Sequence, residues 1–332
     1  MPTPPVCDKC EERPAFVNCT GKYCHACNMR AVNIAFGKAA GLKDGALKDH
    51  RTVAVAVSLG HASLLLAHLA AGFLAGKKAA RGAPRFDSFR FVHVDERAVV
   101  DAAEPLDVDA AQRALVAAVG ADGKTVPDEI EQKLHIVPLP DDVVAMARGD
   151  GSLTARLDAV RSARLRVLLA WARENGCTAL LVGDPLDRTA EAILEDTCHG
   201  RGRSLHQIAS PADDCDGVRL VRPLCHSMRK PITFYAHALG IRPIVAPGLT
   251  TRTRFNASIQ QLVESLLADL SVKTRSTVST VVRTASKLAP AEDGGPSCAY
   301  CMRAVPSPTR LCHGCQLTTR ELMRNEISDF LL

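Results

Sequence analysis

Aromatic side chains are scarce in this sequence. Only 4% of its 332 residues are aromatic, whereas 47% are hydrophobic, so alanine, valine and leucine must form most of the core. Small side chains of this kind suit a β-sheet covered by closely packed helices. The apolar content is sufficient for one large domain with small appendages, which excludes an intrinsically disordered chain.

Two further absences concern location. The N-terminus has no apolar segment of the kind that directs export, and it begins with a cysteine cluster instead. Residues 53–76 contain no Asp, Glu, Lys or Arg, but His61 and His68 interrupt them and strand-like alternation precedes the first histidine. We therefore expect a strand, a turn and a helix here rather than a membrane span. The prediction is a cytoplasmic protein that does not enter a membrane.

Cysteine is abundant, and its spacing is regular. Eight of the thirteen cysteines fall in four CxxC pairs. A chain of this size needs no disulfide framework, so cytosolic metal binding is the better interpretation. Two CxxC turns present four thiolates in the closed tetrahedron that structural Zn²⁺ prefers, with no open position for catalysis. The two predicted ligand sets are Cys7, Cys10, Cys24 and Cys27, with Cys19 and His25 as spare donors, and Cys298, Cys301, Cys312 and Cys315.

Between the cysteine pairs, the chain alternates between strand and helix patterns. Short apolar runs separated by helices indicate an α/β fold with a doubly wound parallel sheet, Rossmann-like, flanked by N- and C-terminal zinc-knuckle modules. In such a sheet, ligands bind at the carboxyl ends of the strands. The predicted strands cover 53–57, 89–94, 134–137 and 178–182, and the predicted helices cover 61–74, 109–119, 153–174 and 188–197.

Charge is unevenly distributed along the chain. Residues 95–158 contain 14 acidic and 6 basic residues, whereas residues 200–254 contain 9 basic and 3 acidic ones. A basic face can bind nucleic-acid phosphates by releasing counterions, and a solvated surface explains the same charge equally well. The basic residues are Arg201, Arg203, Arg219, Arg222, Arg229, Lys230, Arg242, Arg252 and Arg254.

The segment after the first predicted strand reads Ser-Leu-Gly-His-Ala-Ser over residues 58–63. It opens a helix whose N-terminal amides can receive an anion. The segment resembles the SGGxDS loop of the ATP pyrophosphatase (PP-loop) family in Ser58, Gly60 and Ser63. Leu59 stands in place of a glycine and Ala62 in place of the aspartate. Alone, the motif favours an ordinary strand-to-helix turn capped by Ser58.

Further segments resemble one branch of the PP-loop family, in the same order along the chain. They are "CDKCEERPAFVNCTGKYCHAC", "CTALLVGDPLDRTAEAIL", "GRGRSL", "RPLCHSMRKPITFYAHALGI", "TRSTVSTVVRTASKL" and "CAYCMRAVPSPTRLCHGC". Asp184, in the second of these, ends a strand and is placed to contact nucleotide or tRNA or to cap a helix. The combination resembles the cytoplasmic tRNA 2-thiolation protein 2 family, whose members accompany the catalytic subunit that thiolates the tRNA wobble uridine.

This resemblance implies a chemistry in which ATP adenylates the uridine 2-carbonyl and sulfur from a ubiquitin-like carrier protein displaces AMP. Active PP-loop members use a mid-chain CxxC pair and a cysteine just before a Lys/Arg-Pro-Leu segment. Here no cysteine lies between Cys27 and Cys177, and Val221 precedes Arg222. The chain therefore resembles a subunit whose own chemistry is lost, with no catalytic residues. Its cysteines Cys198, Cys215 and Cys225 lack ligand spacing.

The resemblance also implies cofactors and partners. We expect two structural zinc ions, and a degenerate nucleotide site at Ser58, Gly60, Ser63 and Asp184 that leaves ATP binding open. The expected partners are a catalytic PP-loop thiolase subunit in a heterodimer, tRNA bound through Arg201, Arg203, Arg229 and Lys230, and indirectly the ubiquitin-like sulfur carrier. Two alternatives are an ATP-dependent tRNA thiolase active in its own right and a zinc-knuckle RNA-binding scaffold without a thiolation role.

The predicted domain organisation follows from these assignments. An N-terminal zinc module is expected over 1–45, and a degenerate PP-loop domain over 46–255 with an acidic insertion near 95–150. A helical, basic connector is expected over 256–290, followed by a C-terminal zinc module and tail over 291–332.

Overall fold

The computed structural model describes residues 5–18, 21–41, 46–47, 50–77, 88–100, 104–123, 130–251, 253–274, 276–289, 297–305 and 309–323. Two residues named above, Cys19 and Arg252, lie outside these ranges. All structural statements below concern the described residues.

The strands are β1 (Val17–Asn18), β2 (Lys22–Tyr23), β3 (Thr52–Ala56), β4 (Ser88–Asp95), β5 (Ile130–Pro138), β6 (Ala179–Leu181), β7 (Ala212–Cys215) and β8 (Val218–Val221). The helices are α1 (His25–Ala39), α2 (His61–Lys77), α3 (Val108–Val119), α4 (Asp141–Arg148), α5 (Leu153–Glu174), α6 (Leu186–Cys198), α7 (Leu205–Ala209), α8 (Arg229–Ala238), α9 (Ile259–Lys273), α10 (Thr277–Ala285) and α11 (His313–Leu322). Each predicted strand and helix is present, with ends shifted by a few residues at most.

Six strands form one sheet in the order β5-β4-β3-β6-β8-β7. All neighbouring pairs are parallel except β7 and β8, which are antiparallel. The strand order reverses between β3 and β6, so the chain winds outwards in both directions from that point. The predicted doubly wound α/β fold is confirmed, with an antiparallel edge strand that makes the sheet mixed.

The antiparallel edge has a local cause. Asp216 and Gly217 join β7 to β8, and both have positive φ, 52° and 79°. Two consecutive residues in this conformation form the tight hairpin turn that matches strand twist, and Asp-Gly is a preferred sequence for it. The sequence interpretation overlooked this hairpin.

The core lies on both faces of the sheet. Successive residues of β3 point to opposite faces, and all of its central residues are apolar. Val53 and Val55 are fully buried in a cluster that also contains Leu64 of α2, Leu115 of α3 and Ile232 of α8. Ala54, between the two valines, points to the opposite cluster, which α4 and α5 cover. The two faces therefore bury alternate residues of the same strand.

The terminal segments pack directly on the α/β layers. Helix α1 packs on α8 and helix α11 packs on α5. The acidic stretch contributes α3, the sheet-edge strand β5 and α4 to these layers. Helices α6, α9 and α10 share a separate small core around Ala190, Val263 and Val278. No helix among the described residues is both long enough and apolar enough to cross a membrane.

Candidate functional site

A cleft of about 700 Å³ opens at the carboxyl ends of the central strands. Its wall includes Ser58 in the turn after β3, Ser63 in the first turn of α2, His93 near the end of β4 and Asp184 after β6. This is the edge of the sheet, next to the reversal of strand order, where doubly wound folds bind ligands. The structure thus brings together Ser58, Ser63 and Asp184 of the predicted degenerate nucleotide site; Gly60 lies between the two serines in the same loop.

The loop after β3 has a conformation that a glycine would adopt more easily. Leu59 has a φ of +64°, in the left-handed region that an L-residue enters at a cost. Its side chain is only 2% exposed and belongs to the core cluster beside α2. Its carbonyl oxygen accepts a hydrogen bond from the backbone N–H of Ile244, 3.0 Å away. Burial of the leucine and this bond hold the loop in place.

The two serine hydroxyls of the loop are already paired with each other. Ser58 Oγ donates to Ser63 Oγ at 3.1 Å, and Ser63 Oγ donates to the Gly60 carbonyl oxygen at 3.1 Å. A phosphate entering the loop would have to replace these bonds. The loop also has a close neighbour in Gly183, where an added Cβ would lie 3.1 Å from Ser63 Cα. Glycine is required there because the loop after β6 touches the first turn of α2.

Charged groups in the cleft wall are paired by the protein itself. Arg188 at the start of α6 donates to Glu191 and Glu195 of the same helix, at 3.1 and 2.9 Å. Arg161 of α5 also pairs with Glu195, and Arg164 pairs with Glu96. Burial acts to lower the pKa of Arg188, but Glu195 and Glu191 raise it, so the arginine stays charged. Its charge is matched before any ligand arrives.

The described thiols near the cleft are poor nucleophiles or belong to a cysteine group. Cys215 at the end of β7 lines the cleft, and burial raises the pKa of its thiol to about 12. Burial likewise raises the pKa of Cys225 to about 11. Val221 at the end of β8 is fully buried. Cys301 also lines the cleft and is one of the C-terminal CxxC residues.

The N-terminal cysteines form one group. The four sulfurs of Cys7, Cys10, Cys24 and Cys27 lie within 4.8 Å of one another, and those of Cys10 and Cys24 are 3.9 Å apart. Sulfurs bound at 2.3 Å to a tetrahedral zinc ion are about 3.8 Å apart. Burial acts to raise the pKa of Cys7, but backbone hydrogen bonds at Cys24 and Cys10 lower it to about 6. The group has the dimensions of a four-thiolate metal site.

The C-terminal cysteines form a second group of the same size. The sulfurs of Cys298, Cys301, Cys312 and Cys315 also lie within 4.8 Å of one another, with 3.8 Å between Cys301 and Cys312. Hydrogen bonding to Cys301 lowers the pKa of Cys298, and hydrogen bonding to Cys298 raises that of Cys301. Thiols this close compete for protons, and a divalent cation would replace those protons. Both predicted cysteine sets are therefore brought together, at sites able to hold a metal ion.

The four residues predicted to contact tRNA differ in exposure. Arg203 and Lys230 are exposed, and Lys230 Nζ donates to the carbonyl oxygen of Asn18 at 2.9 Å. Arg229 is half-exposed and pairs with Glu191 and Glu264, at 2.9 and 3.2 Å. The prediction for Arg201 is wrong, because this side chain is buried.

Arg201 is only 4% exposed. Its guanidinium donates to both carboxylate oxygens of Asp158, at 2.7 and 2.5 Å. A phosphate on the protein surface has no access to it. Arg201 therefore does not contribute to a basic surface.

Sequence reasoning also missed parts of the cleft. His93 is buried at the end of β4, where its Nδ1–H donates to the Val57 carbonyl oxygen at 2.8 Å, and burial lowers its pKa. A neutral imidazole is thus fixed in one tautomer at the cleft wall. The position of His93 near the end of a central strand could have indicated that it lines the cleft. The spacing of Arg188, Glu191 and Glu195 along one helix face was the signal for the ion pairs.

Comparison with known proteins gives a family match over part of the chain. A family model for cytoplasmic tRNA 2-thiolation protein 2 matches residues 258–310, which include α9, α10 and the first CxxC pair of the C-terminal group. The predicted family resemblance is confirmed. The zebrafish protein of that name is 34% identical over 154 residues, and the human one is 32% identical over 162 residues.

These curated relatives are much longer than the matched region. The zebrafish match covers 45% of this chain and 31% of the relative, and the human match covers 46% and 32%. The protein of the same name from Drosophila virilis is 33% identical, with 47% of this chain and 40% of the relative covered. The chain thus spans about a third of the length of the relatives it matches.

Among solved structures, the fold is similar to that of the U34-tRNA thiolase NcsA from Methanococcus maripaludis, solved with its 4Fe-4S cluster. The two superpose with a TM-score of 0.67 at 18% sequence identity, over 97% of this chain and 96% of the thiolase. This similarity shows that the two chains share a fold.

Proposed function

We propose that the protein is the non-catalytic subunit of a heterodimeric, cytoplasmic complex that thiolates the wobble uridine, U34, of cytosolic tRNAs. In this complex it stabilises a catalytic PP-loop subunit and contributes to tRNA binding. The ubiquitin-like sulfur carrier is an indirect partner. The observation that carries the proposal is the loop of residues 58–63, which occupies the ligand-binding edge of a thiolase fold without the residues that the chemistry needs.

Three features of the cleft support a subunit without its own activity. Leu59 fills with a buried side chain the position where a glycine would let backbone approach phosphate. Ala62 supplies no carboxylate. The described thiols of the cleft are Cys215, protonated at neutral pH, and Cys301, held in the C-terminal group. Adenylation and sulfur transfer therefore lack groups in the described part of this cleft.

An activity assay tests this proposal. The purified chain, mixed with ATP and unmodified tRNA, is expected to release no AMP in a single-turnover experiment, because Leu59 and Ala62 replace the loop residues of active members. Radiolabelled ATP and thin-layer separation of products provide the measurement. The control is Ser63→Ala, and AMP formed by the wild type and lost in this variant would show that the chain is itself an enzyme.

We propose further that each cysteine group holds one structural zinc ion. Four thiolates suit zinc, and a closed four-thiolate site has no position for substrate. When bound, the ion would supply cross-links between the two halves of each small module. Cys24 precedes α1, Cys312 precedes α11, and both helices pack on the α/β layers. A metal ion would therefore attach each terminal module through the helix that begins beside it.

The tRNA contact is proposed for the exposed residues Arg203 and Lys230. We expect Arg203→Glu with Lys230→Glu to weaken tRNA binding at least about fivefold and to lower the slope of log affinity against log salt by about one unit per lost phosphate contact. Fluorescence anisotropy with labelled tRNA at several salt concentrations provides the measurement. The matched control is Arg113→Glu with Lys133→Glu, which changes the net charge equally on exposed residues of α3 and β5. Equal losses in the two variants would contradict a specific basic site.

A further inference from the structure

Arg201 is a buried cation at the junction of three elements. It follows α6, and its two terminal nitrogens donate to both oxygens of Asp158 on α5, at 2.7 and 2.5 Å. The first of these nitrogens also lies 3.3 Å from Asp196 of α6. A two-pronged arginine–carboxylate pair fixes the plane of the guanidinium. The orientation of Arg201 is therefore set by α5 and α6.

The same guanidinium reaches the C-terminal cysteine group. Its Nη2 donates to Cys315 Sγ at 3.5 Å, and the other three sulfurs of the group lie within 4.8 Å of that atom. Arg201 thus connects a carboxylate of α5 to a sulfur at the start of α11. Among the described residues, no arginine side chain donates a hydrogen bond to a sulfur of the N-terminal group.

Helix α11 packs closely against Arg201. Gly314 of α11 lies so close that an added Cβ would be 2.7 Å from Arg201 Nε and 2.7 Å from the His199 carbonyl oxygen. One turn further along α11, Thr318 Oγ1 donates to Asp158 Oδ2 at 2.8 Å. The first two turns of α11 therefore rest directly on the Arg201–Asp158 pair.

The charges explain what this contact does. Four thiolates around a divalent cation carry an excess of two negative charges, and Asp158 and Asp196 beside Arg201 add two more, of which Arg303 offsets one by pairing with Asp196. Burying uncompensated charge is costly. Arg201 supplies a positive charge and an N–H donor at the sulfur, and donors of this kind orient metal ligands and adjust their affinity for the ion.

We propose that Arg201 is a positioning residue of the C-terminal metal site, where it holds Cys315 Sγ in place by an N–H···S hydrogen bond and offsets the negative charge of the bound thiolates. This inference rests on the metal binding proposed above. It gives the buried arginine a role toward the metal and none toward tRNA.

The test uses zinc release from the full chain. Cys24→Ser with Cys27→Ser provides a background that retains only the C-terminal ion, and Arg201→Met is added to it. Release to the chelator 4-(2-pyridylazo)resorcinol is expected to become about 10-fold faster. Arg201→Lys, which keeps the charge but cannot form all three contacts, is expected to give an intermediate rate. Arg113→Met, at an exposed residue of α3, is the matched control and is expected to leave the rate unchanged.

A second readout follows the Cys315 thiolate directly. Alkylation of Cys315 by N-ethylmaleimide, followed by peptide mass spectrometry, is expected to accelerate in Arg201→Met, because a thiolate that accepts fewer hydrogen bonds is more nucleophilic. The double variant Arg201→Met with Asp158→Asn removes the two paired charges together. It replaces the single variant if that one does not fold, and the same faster zinc release and faster alkylation are expected of it.

The outcomes distinguish the two proposals. Faster release and faster alkylation in the variants support the role of Arg201. A metal ion in the C-terminal group with unchanged rates would overturn that role alone. A wild-type chain isolated without metal in this group would overturn the metal site as well.

Discussion

Cells that lack this protein are expected to lose the 2-thio group from the wobble uridines of their cytosolic tRNAs, although the proposed catalytic subunit is still encoded. The reason is the combination of a fold similar to that of a tRNA thiolase with a loop that lacks the residues of active PP-loop members, which is consistent with the proposed partner role. Electrophoresis of total tRNA in gels that contain a mercury compound retards thiolated tRNA and measures the effect. The retarded fraction is expected to fall to background.

Complementation sharpens this experiment. A plasmid copy of the wild type and one with Ser63→Ala are both expected to restore thiolation, because the loop is proposed to carry no chemistry. Restoration by the wild type alone would assign the activity to this chain. Normal thiolation in the deletion strain itself would end the proposed role.

Replacing Cys312 and Cys315 by serine is expected to lower the zinc content of the purified chain from about two ions to about one. The core of the C-terminal module is small, centred on the cysteines with Tyr300 and Val305. Such a core cannot fold alone, and structural zinc contributes about 10–16 kcal/mol in zinc-finger peptides. Elemental analysis gives the stoichiometry, and hydrogen exchange in 297–305 and 309–323 reports the expected local unfolding.

The controls lie in the same chain. Cys24→Ser with Cys27→Ser is expected to remove the other ion and to leave exchange in 297–305 and 309–323 unchanged. Cys198→Ser changes an exposed cysteine outside both groups and is expected to retain both ions. Retention of two ions by the Cys312/Cys315 variant would contradict the assignment of these ligands.

The parts of the fold that depend on local pattern could be read from the sequence. Strand β3 alternates Val, Ala, Val because both its faces are covered, and helix α5 matches the predicted residues 153–174. The spacing within each double CxxC set was sufficient to predict which four sulfurs meet. A closed metal site of this kind can be predicted from the sequence because its ligands are near neighbours in two turns.

Long-range contacts could not be read in this way. Arg201 was assigned to a basic surface from charge counts, whereas its environment depends on Asp158 and Cys315, which are 43 and 114 positions away in the chain. Nothing in the local pattern distinguishes a buried arginine from the exposed Arg203 two residues later. The burial of Leu59 could not be predicted for the same reason, because the hydrogen bond that holds its backbone comes from the distant residue Ile244.

The C-terminal group shares a wall with the cleft, since Cys301 belongs to the group and lines the cleft together with the next two residues, Met302 and Arg303. A molecule that enters the cleft would therefore touch a segment whose position would depend on the proposed metal ion. If occupancy of the cleft changes metal affinity by some factor, the metal must change affinity for the cleft ligand by the same factor. Metal binding would then change the affinity of the cleft for its ligand. The zinc supply would in that case affect the fraction of the protein that has a ligand in the cleft.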